Sequence, residues 1–424
     1  MNILEYPDKS SWKEILKRPV FDTTSLESKV SPILEEIKAN GDEALRRFTF
    51  EFDKISITDF LVTAEEFNQA KKEVSEKLKK AIDTARVNIE KFHLSQREEI
   101  KKIETSPGVT CWRKSIPIEK IGLYIPGGTA PLFSTILMLG VPANIAGCEE
   151  IILCTPPDKT GKINPAILYT ADLLGINRVY KAGGAQAIAA MAYGTQTIPK
   201  VYKIYGPGNQ YVTAAKQMVN KQGTAIDMPA GPSEVAIVAD ENANAAFVAA
   251  DLLSQAEHGA DSQVILVTNS KSFIDKVNEE LALQLSNLPR KELAQKALQN
   301  SKAILVKNFD EGMELINEYA PEHLILQVND FEKLAMQVKN AGSVFLGGYT
   351  PESAGDYASG TNHTLPTNGY ATAYSGVSLD SFVKKVTFQY ITKDGIKNLG
   401  NTIEIMAEAE ELFAHKNAVT LRIK

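Results

Sequence analysis

The chain has 424 residues, which is longer than one ordinary hydrophobic core requires, and the length alone indicates two or three domains. Its hydrophobic content of 44% and charged content of 23% are those of a soluble globular protein. The net charge of −6 argues against a nucleic-acid-binding surface, which carries a basic excess, and fits an enzyme of small metabolites.

The cysteines and the apolar segments limit where the protein works. The three cysteines are Cys111, Cys148 and Cys154. Their odd number and the absence of a CxxC spacing indicate neither a disulfide framework nor a thiolate zinc site, and Cys154 is predicted to be a buried core thiol. The first residues hold no apolar signal core, and the longest apolar stretch, 131–147, is too short and interrupted to span a bilayer. We therefore expect a cytoplasmic protein.

Residues 23–100 predict helices. Apolar residues recur at helical spacing from Val30 to Ile37, and Gly41 ends that segment. Residues 64–96 mix Lys and Glu around a sparse apolar stripe, which is typical of one long solvent-facing helix. His93 lies in this charged stretch and is predicted to be a surface histidine.

From about Lys120 the pattern becomes two series of alternating strands and helices. The first series has strands at IGLYIP, EIILCTPP, RVYKAGG and KVYKIYGPG, and the second at SEVAIVAD, QVILVTN, KAILVKN, EHLILQV and SVFLGG. Such alternation implies parallel sheets covered on both faces, with binding sites beyond the carboxyl ends of the strands. Residues 348–378 are too long for an ordinary connection, which indicates a functional segment. A helix over 401–417 and a short strand over 418–423 are predicted to end the chain.

Three Gly-rich loops follow strands of the first series: YIPGGTAP, KAGGAQA and YGPGNQY. Each opens a helix whose N-terminus favours an anion, as a dinucleotide pyrophosphate requires. Tyr124, Gln186 and Asn209 lie in these loops and are candidates for contacts with a nucleotide. The loops lack the GxGxxG fingerprint, and tight strand-to-helix turns explain the glycines equally well.

Gln255 and His258 end an apolar helix in LLSQAEHG and share one helical face, because they are three residues apart. A histidine at a helix end is more often a cap than a ligand, and glutamine is a poor metal ligand. The indication strengthens because Asp356 and His415, in other polar clusters, are candidate partners. Together the four would make a nitrogen and oxygen site suited to zinc or another borderline divalent metal.

Further polar residues suggest acid–base chemistry and a shared site. APEHL sets Glu322 beside His323 at a helix-to-strand junction, as proton transfer requires, although a capping carboxylate and a partly buried histidine is the better reading of this pair alone. Ser233 lies in the turn MPAGPSEV, and no GxSxG elbow marks it as a nucleophile. Glu410 and His415 lie on neighbouring faces of a terminal helix, which suggests a homodimer whose tail completes the partner's site.

Taken together, these clusters resemble the histidinol dehydrogenase family from about residue 20 to the C-terminus. The resemblance rests on eight segments in order: GLYIPGGTAPLFST, AGGAQAIAA, KIYGPGNQYV, DMPAGPSEV, LLSQAEHG, APEHL, GDYASGTNHTLPT and AHKNAVTLR. It implies oxidation of L-histidinol through L-histidinaldehyde to L-histidine, the last two steps of histidine biosynthesis. Two NAD would be reduced in succession at one site. No nucleic acid or membrane partner is implied.

The resemblance also implies roles for residues. Zinc would be held by Gln255, His258, Asp356 and His415, with His415 coming from the partner subunit. His323 would act as the base in the first oxidation, and Glu322 would activate water to hydrate the aldehyde. The substrate would be surrounded by Ser233, Gln255, His258, His323, Asp356, Glu410 and His415. NAD would contact Tyr124, Gln186 and Asn209.

The implied fold is α/β, with two incomplete Rossmann-like domains that have parallel sheets, and small terminal segments exchanged in a homodimer. The expected division is a segment over 1–20, a metal and catalytic domain over 21–119 and 234–378, an NAD domain over 120–233, and a dimerisation segment over 379–424. Two alternatives stay open: a zinc hydrolase with Glu322 as base, and a ligand-binding protein without turnover. The Gly-rich loops favour the dehydrogenase, because a hydrolase needs no cradle for pyrophosphate.

Overall fold

The computed structural model describes residues 1–19, 23–127, 131–229 and 231–424. The helices are α1 Trp12–Ile15, α2 Thr23–Asn40, α3 Asp42–Asp53, α4 Ala64–Glu73, α5 Glu76–Leu94, α6 Phe133–Ala146, α7 Pro165–Leu173, α8 Gly184–Tyr193, α9 Gln210–Lys221, α10 Ala245–Ala256, α11 Lys271–Leu285, α12 Lys291–Gln299, α13 Phe309–Tyr319, α14 Phe331–Ala335, α15 Glu352–Tyr357, α16 Lys393–Ala409 and α17 Phe413–Ile423. The strands are β1 Asn2–Glu5, β2 Lys102–Ser106, β3 Val109–Pro117, β4 Lys120–Tyr124, β5 Glu150–Thr155, β6 Arg178–Lys181, β7 Lys203–Tyr205, β8 Ala225–Ile226, β9 Glu234–Ala239, β10 Gln263–Thr268, β11 Lys302–Leu305, β12 His323–Gln327, β13 Ser343–Leu346 and β14 Val383–Ile391. Part of the first Gly-rich loop (128–130) and Ala230 of the MPAGPSEV turn lie outside the described residues.

Within the described ranges, the first α/β unit is a five-stranded parallel sheet in the order β6-β5-β4-β7-β8. Its strands are apolar runs, and hydrophobic clusters lie on both faces. Helices α2, α3, α8 and α9 build one cluster and α4, α6 and α7 the other, which is the covered parallel sheet that the alternation predicts.

The helices of residues 23–94 belong with this five-stranded sheet. Val30, Leu34 and Ile37 of α2 lie in one core with Ile188 of α8, and Ile89 of α5 packs beside Met138 of α6. The expected division grouped 21–119 with 234–378, and it stays a prediction, since α5 also contacts that part through the bond from Asn88 to the Ala358 carbonyl oxygen. The apolar stripes were visible in the sequence, but the sheet against which they pack was not.

The predicted long helix over 64–96 is two helices, since Ser75 begins α5 by accepting a hydrogen bond from the Leu78 backbone N–H at 3.3 Å. The expectation that His93 is a surface residue is wrong. Its side chain is fully buried, and its Nδ1 lies 2.9 Å from the Ile89 carbonyl oxygen. Helix α6 is apolar around its whole circumference and covers this part of α5.

The second α/β unit is, among the described residues, a six-stranded parallel sheet in the order β1-β11-β10-β9-β12-β13. Strand β9 lies near its middle, so β10 and β11 extend to one side and β12 and β13 to the other. The N-terminal segment joins this sheet through β1, and Trp12 is buried in its core. The prediction of two α/β units with parallel sheets is confirmed.

A third sheet was not predicted. Strands β14, β3 and β2 form an antiparallel sheet in that order within the described chain, and most of β14 is exposed. The predicted C-terminal strand over 418–423 is wrong, because these residues belong to helix α17. Val419 and Ile423 are four residues apart and both pack near Gly400 of α16, which explains the helix.

The predicted helix over 401–417 is interrupted at Glu411, whose φ of 60° lies in the left-handed region. Helices α16 and α17 therefore form a hairpin. No helix in the described ranges is long and apolar enough to cross a membrane.

Candidate active site

The candidate catalytic residues lie at the amino ends of the strands of the six-stranded sheet. Glu322 precedes β12, His323 begins it, and Glu234 begins the neighbouring β9. Helix α10 runs back between parallel strands, so its C-terminal end delivers Gln255 and His258 to the same ends of the strands. These candidate residues thus lie at the ends of the strands opposite the carboxyl ends, where sites of parallel sheets are usually found.

One residue, Glu234, holds both members of the predicted acid–base pair through its backbone. Its N–H donates to Glu322 Oε2 at 2.9 Å, and its carbonyl oxygen lies 3.2 Å from His323 Nδ1. A carbonyl only accepts, so Nδ1 carries hydrogen and Nε2 is the ring atom left to exchange a proton. That Nε2 is buried without a hydrogen-bond partner, 3.6 Å from Asp356 Oδ1.

The Glu234 side chain is anchored from the N-terminal segment. Arg18 donates to both of its carboxylate oxygens, at 2.5 and 2.9 Å, and the Asn368 backbone N–H adds a bond of 2.8 Å. Arg18 also donates to the Tyr319 carbonyl oxygen at 2.5 Å, and its guanidinium lies 4.0 Å from the centre of the Tyr319 ring. The peptide that aligns Glu322 and His323 is therefore fixed on several sides.

A candidate metal site, called the metal-binding cluster below, lies next to this pair. Among the described residues, His258, Glu352 and Asp356 each offer a ligand atom, and these atoms lie within 4.8 Å of one another. The predicted ligand Gln255 touches the cluster, because its amide hydrogen-bonds Glu352. His258 and Asp356 are thus brought together as the sequence predicted. Glu352 was missed, although it precedes Asp356 by four residues and so shares its helical face.

A histidine holds the Asp356 backbone in place. The Nδ1 of His363 lies 2.8 Å from the Asp356 carbonyl oxygen, and the other ring nitrogen, Nε2, lies 3.1 Å from the Thr135 hydroxyl in the first turn of α6. Burial lowers the pKa of His363. This neutral ring connects the metal-binding cluster to the five-stranded unit.

The electrostatics of the cluster favour a cation. Burial raises the pKa of Glu322 to about 8 and raises the pKa of Glu352 well above its usual value. Burial lowers the pKa of His323, but the carboxylates of Glu352, Glu322 and Asp356 outweigh it and raise that pKa to about 10. So many buried carboxylates need compensating positive charge. A set of imidazole and carboxylate donors beside an unpartnered Nε2 fits a borderline divalent metal such as zinc.

The remaining predicted residues lie elsewhere in the chain. Glu410 and His415 flank the turn between α16 and α17, and both are exposed. Within the described chain, neither joins the group of His258, Glu352 and Asp356. Ser233 is half-buried immediately before β9, next to the residue that holds the catalytic pair.

A cavity of 1340 Å³ lies at the carboxyl ends of the five-stranded sheet, where the sequence analysis expected a nucleotide. Tyr124, Gln186 and Asn209 all line it. The Tyr124 hydroxyl accepts from the Gly184 N–H at 3.0 Å, and Asn209 caps α9 by accepting from two backbone N–H groups. The volume is sufficient for a dinucleotide.

The glycines of these loops are needed for their geometry. Gly206 has a φ of 123°, and a Cβ there would lie 2.0 Å from the Tyr124 carbonyl oxygen. Asp53, at the end of α3, also lines the cavity, where Gln186 donates to it at 3.4 Å, and it was not predicted. The glycines thus make tight turns, and these turns bring the helix N-termini to a large cavity.

Comparison with known proteins gives consistent results. A family model described as histidinol dehydrogenase matches residues 16–423. The histidinol dehydrogenase of Bacteroides fragilis is 60% identical over 424 residues, covering 100% of this chain and 99% of that protein. The enzyme of Escherichia coli is 50% identical over 414 residues, covering 97% and 94%.

Solved structures agree. The crystal structure of histidinol dehydrogenase from Elizabethkingia anophelis superposes with a TM-score of 0.98 at 57% identity, covering 100% of this chain and 98% of that one. An acetylating aldehyde dehydrogenase from Geobacillus thermoglucosidasius shares the fold alone, with a TM-score of 0.51 at 15% identity over 88% of this chain and 99% of that one.

Proposed function

The chain belongs to the histidinol dehydrogenase family of oxidoreductases, and from this premise we propose that it oxidises L-histidinol through L-histidinaldehyde to L-histidine with zinc and two NAD. The observation that carries the proposal is the pair Glu322 and His323, held by one peptide, with the unpartnered Nε2 of His323 facing the carboxylates of the metal-binding cluster. Two neighbouring proton acceptors suit two successive oxidations at one site.

The metal would be held by Gln255, His258 and Asp356 of one subunit. When bound, zinc would position histidinol through its imidazole and amino nitrogens. It would also supply the positive charge that a proton on His323 provides when no metal is bound. Neutral His323 then takes the hydroxyl proton at Nε2 while hydride leaves the alcohol carbon for NAD.

In the second step Glu322 takes a proton from water as that water adds to the aldehyde. The resulting hydrate anion then loses hydride to a second NAD, which yields the carboxylic acid, and loss of the acid's hydroxyl proton to solvent gives the carboxylate. The Glu234 N–H holds Glu322 beside His323, so the aldehyde meets its second base without leaving the site. Ser233, Glu410 and His415 complete the proposed substrate contacts.

We propose that NAD occupies the cavity of the five-stranded sheet, in contact with Tyr124, Gln186 and Asn209. The support is that all three predicted residues line one cavity at the N-termini of α8 and α9. This cavity also argues against a zinc hydrolase, which needs no nucleotide. The decisive assay follows NADH absorbance when histidinol and NAD are mixed with the protein. Absence of NADH with zinc-loaded protein would exclude the dehydrogenase.

We further propose a homodimer in which the partner subunit's His415 completes the metal site. Support comes from the exposed position of His415 and from exposed apolar side chains on the C-terminal hairpin, including Ile405, Met406, Phe413 and Leu421. Such a face is typical of a subunit interface. The cytoplasmic location expected from the sequence remains a prediction.

The shared site has a direct test. Chains with His258→Ala and chains with His415→Ala are each expected to be inactive, and mixing them should restore activity in heterodimers that contain one intact site. The fraction of heterodimer is measured with differently tagged chains. Heterodimers that form without any recovered activity would rule out the exchange.

A further inference from the structure

Glu352 is a buried carboxylate whose role is not explained by the acid–base pair. Its side chain is 1% exposed at the start of α15. Among the described residues no lysine or arginine forms an ion pair with it; its hydrogen-bond partner is the amide of Gln255. An isolated buried carboxylate is costly, which indicates that it is kept for what lies beside it.

The Gln255 amide is held between one acceptor and one donor. Its Nε2 donates to both Glu352 oxygens, to Oε2 at 3.1 Å, and its Oε1 accepts from the Glu234 N–H at 3.0 Å. This orientation follows from the hydrogen-bond network, since the reverse one would set the amide oxygen against the carboxylate. Glu352 thus fixes the orientation of the Gln255 amide, whose oxygen keeps a second lone pair beside its bond to the Glu234 N–H.

The helix geometry brings Glu352 to the other donors. Glu352 and Asp356 are four residues apart on α15, and Gln255 and His258 three apart near the end of α10. The Glu352 carboxylate lies within 4.8 Å of the ligand atoms of His258 and Asp356. The buried, unpartnered Nε2 of His323 faces the same space.

We propose that Glu352 is a positioning residue of the metal site, which orients Gln255 by its hydrogen bond and balances, with Asp356, the charge of a divalent ion. The inference rests on the proposed zinc site and goes beyond it by naming the group that makes glutamine, a weak ligand, usable. Groups that orient metal ligands in this way contribute about 10- to 100-fold in metal affinity.

The test is the zinc dissociation constant of the full-length protein, measured by competition with a chromogenic chelator. We expect Glu352→Gln to bind zinc about 10- to 100-fold more weakly than the unmodified chain. The matched control is Asp42→Asn, which neutralises another buried carboxylate, on α3, that accepts from the Thr197 N–H instead. Its zinc affinity should stay unchanged. Equal weakening by both variants would show a general charge effect and overturn the assignment.

A second measurement separates this role from a merely structural one. Without zinc, Glu352→Gln should be about as stable to urea as the unmodified chain, because the amide keeps the shape of the side chain and an oxygen that can accept from Gln255. A variant that is less stable without zinc, or one that binds zinc normally, would overturn the proposal. Failure of the unmodified chain to bind zinc would instead refute the proposed function.

Coupling between the two residues provides a further check. If Glu352 acts partly through Gln255, the double variant Glu352→Gln, Gln255→Met should lose less zinc affinity than the two single losses added together, because the orienting role disappears with Gln255. Effects that simply add would overturn the proposed orientation of Gln255 by Glu352.

Discussion

Replacing Arg18 by methionine should destabilise the fold and misalign the catalytic pair. The variant keeps the length of the side chain but removes the bidentate partner of Glu234, whose side chain is only 2% exposed. Removing one partner of a buried pair leaves an uncompensated charge and costs about 3–5 kcal/mol. Arg18→Lys is the matched control, because it keeps the charge and loses only the two-pronged geometry.

The pH dependence of the loss follows from the titration of Glu234. Burial already raises the pKa of Glu234 despite the attraction of Arg18, and removal of Arg18 raises that pKa further. A carboxyl whose pKa is higher in the folded state takes up a proton on folding. Stability therefore falls as the pH rises from the unfolded pKa toward the folded one. Arg18→Met should lose the least stability in acid and the most at pH values above the folded-state pKa of Glu234.

The assay is urea unfolding across this pH range, combined with steady-state kinetics. In Arg18→Met, kcat should fall more than the KM for NAD rises, because the Glu234 peptide aligns Glu322 and His323, whereas the proposed NAD cavity belongs to the other sheet. The double variant Arg18→Met, Glu234→Gln should recover stability, since no charge is left buried. Equal unfolding midpoints for Arg18→Met and the unmodified chain would refute the reasoning.

Three further predictions concern the chemistry and the cofactors. His323→Ala should slow the oxidation of histidinol more than that of histidinaldehyde, and Glu322→Gln the reverse; equal slowing of both, measured with each compound as substrate, would contradict the division of roles. Gly206→Ala should raise the KM for NAD at least several-fold while zinc content stays normal, because its Cβ would meet the Tyr124 carbonyl oxygen at 2.0 Å; an unchanged KM would show that the loop is not part of the NAD site. Dialysis against chelator should abolish turnover and added zinc should restore it, whereas metal-free protein with full activity would exclude the zinc proposal.

The sequence was sufficient for the two parallel sheets because their strands are apolar runs separated by amphipathic helices. It was not sufficient for β2, β3 and β14. In these strands many side chains are exposed, so no apolar face marks them. His93 shows the converse error, since a charged neighbourhood suggested exposure although α6 covers that side of α5.

Within the candidate site, the predictable residues were those in dense local motifs. Gln255 with His258 and Glu322 with His323 are neighbours in sequence, and the structure keeps each pair together. Glu234 and Arg18 act across 216 positions of the chain, and only the fold places them together. Glu352 could have been predicted, because a residue four positions before a predicted ligand lies on the same face of a helix.

The proposed NAD cavity and the metal-binding cluster lie at opposite ends of the strands of their two sheets, so an element of the fold has to connect them. The cavity lies at the carboxyl ends of the strands of the five-stranded sheet, whereas the metal-binding cluster lies at the amino ends of those of the six-stranded sheet. Helix α6 follows β4 and the first Gly-rich loop, and its first turn carries Thr135, which contacts His363 at 3.1 Å. His363 in turn holds the Asp356 backbone. Helix α6 therefore links the Gly-rich loop of the proposed NAD cavity to Asp356, a proposed metal ligand, as hydride transfer from a metal-bound substrate to NAD would require.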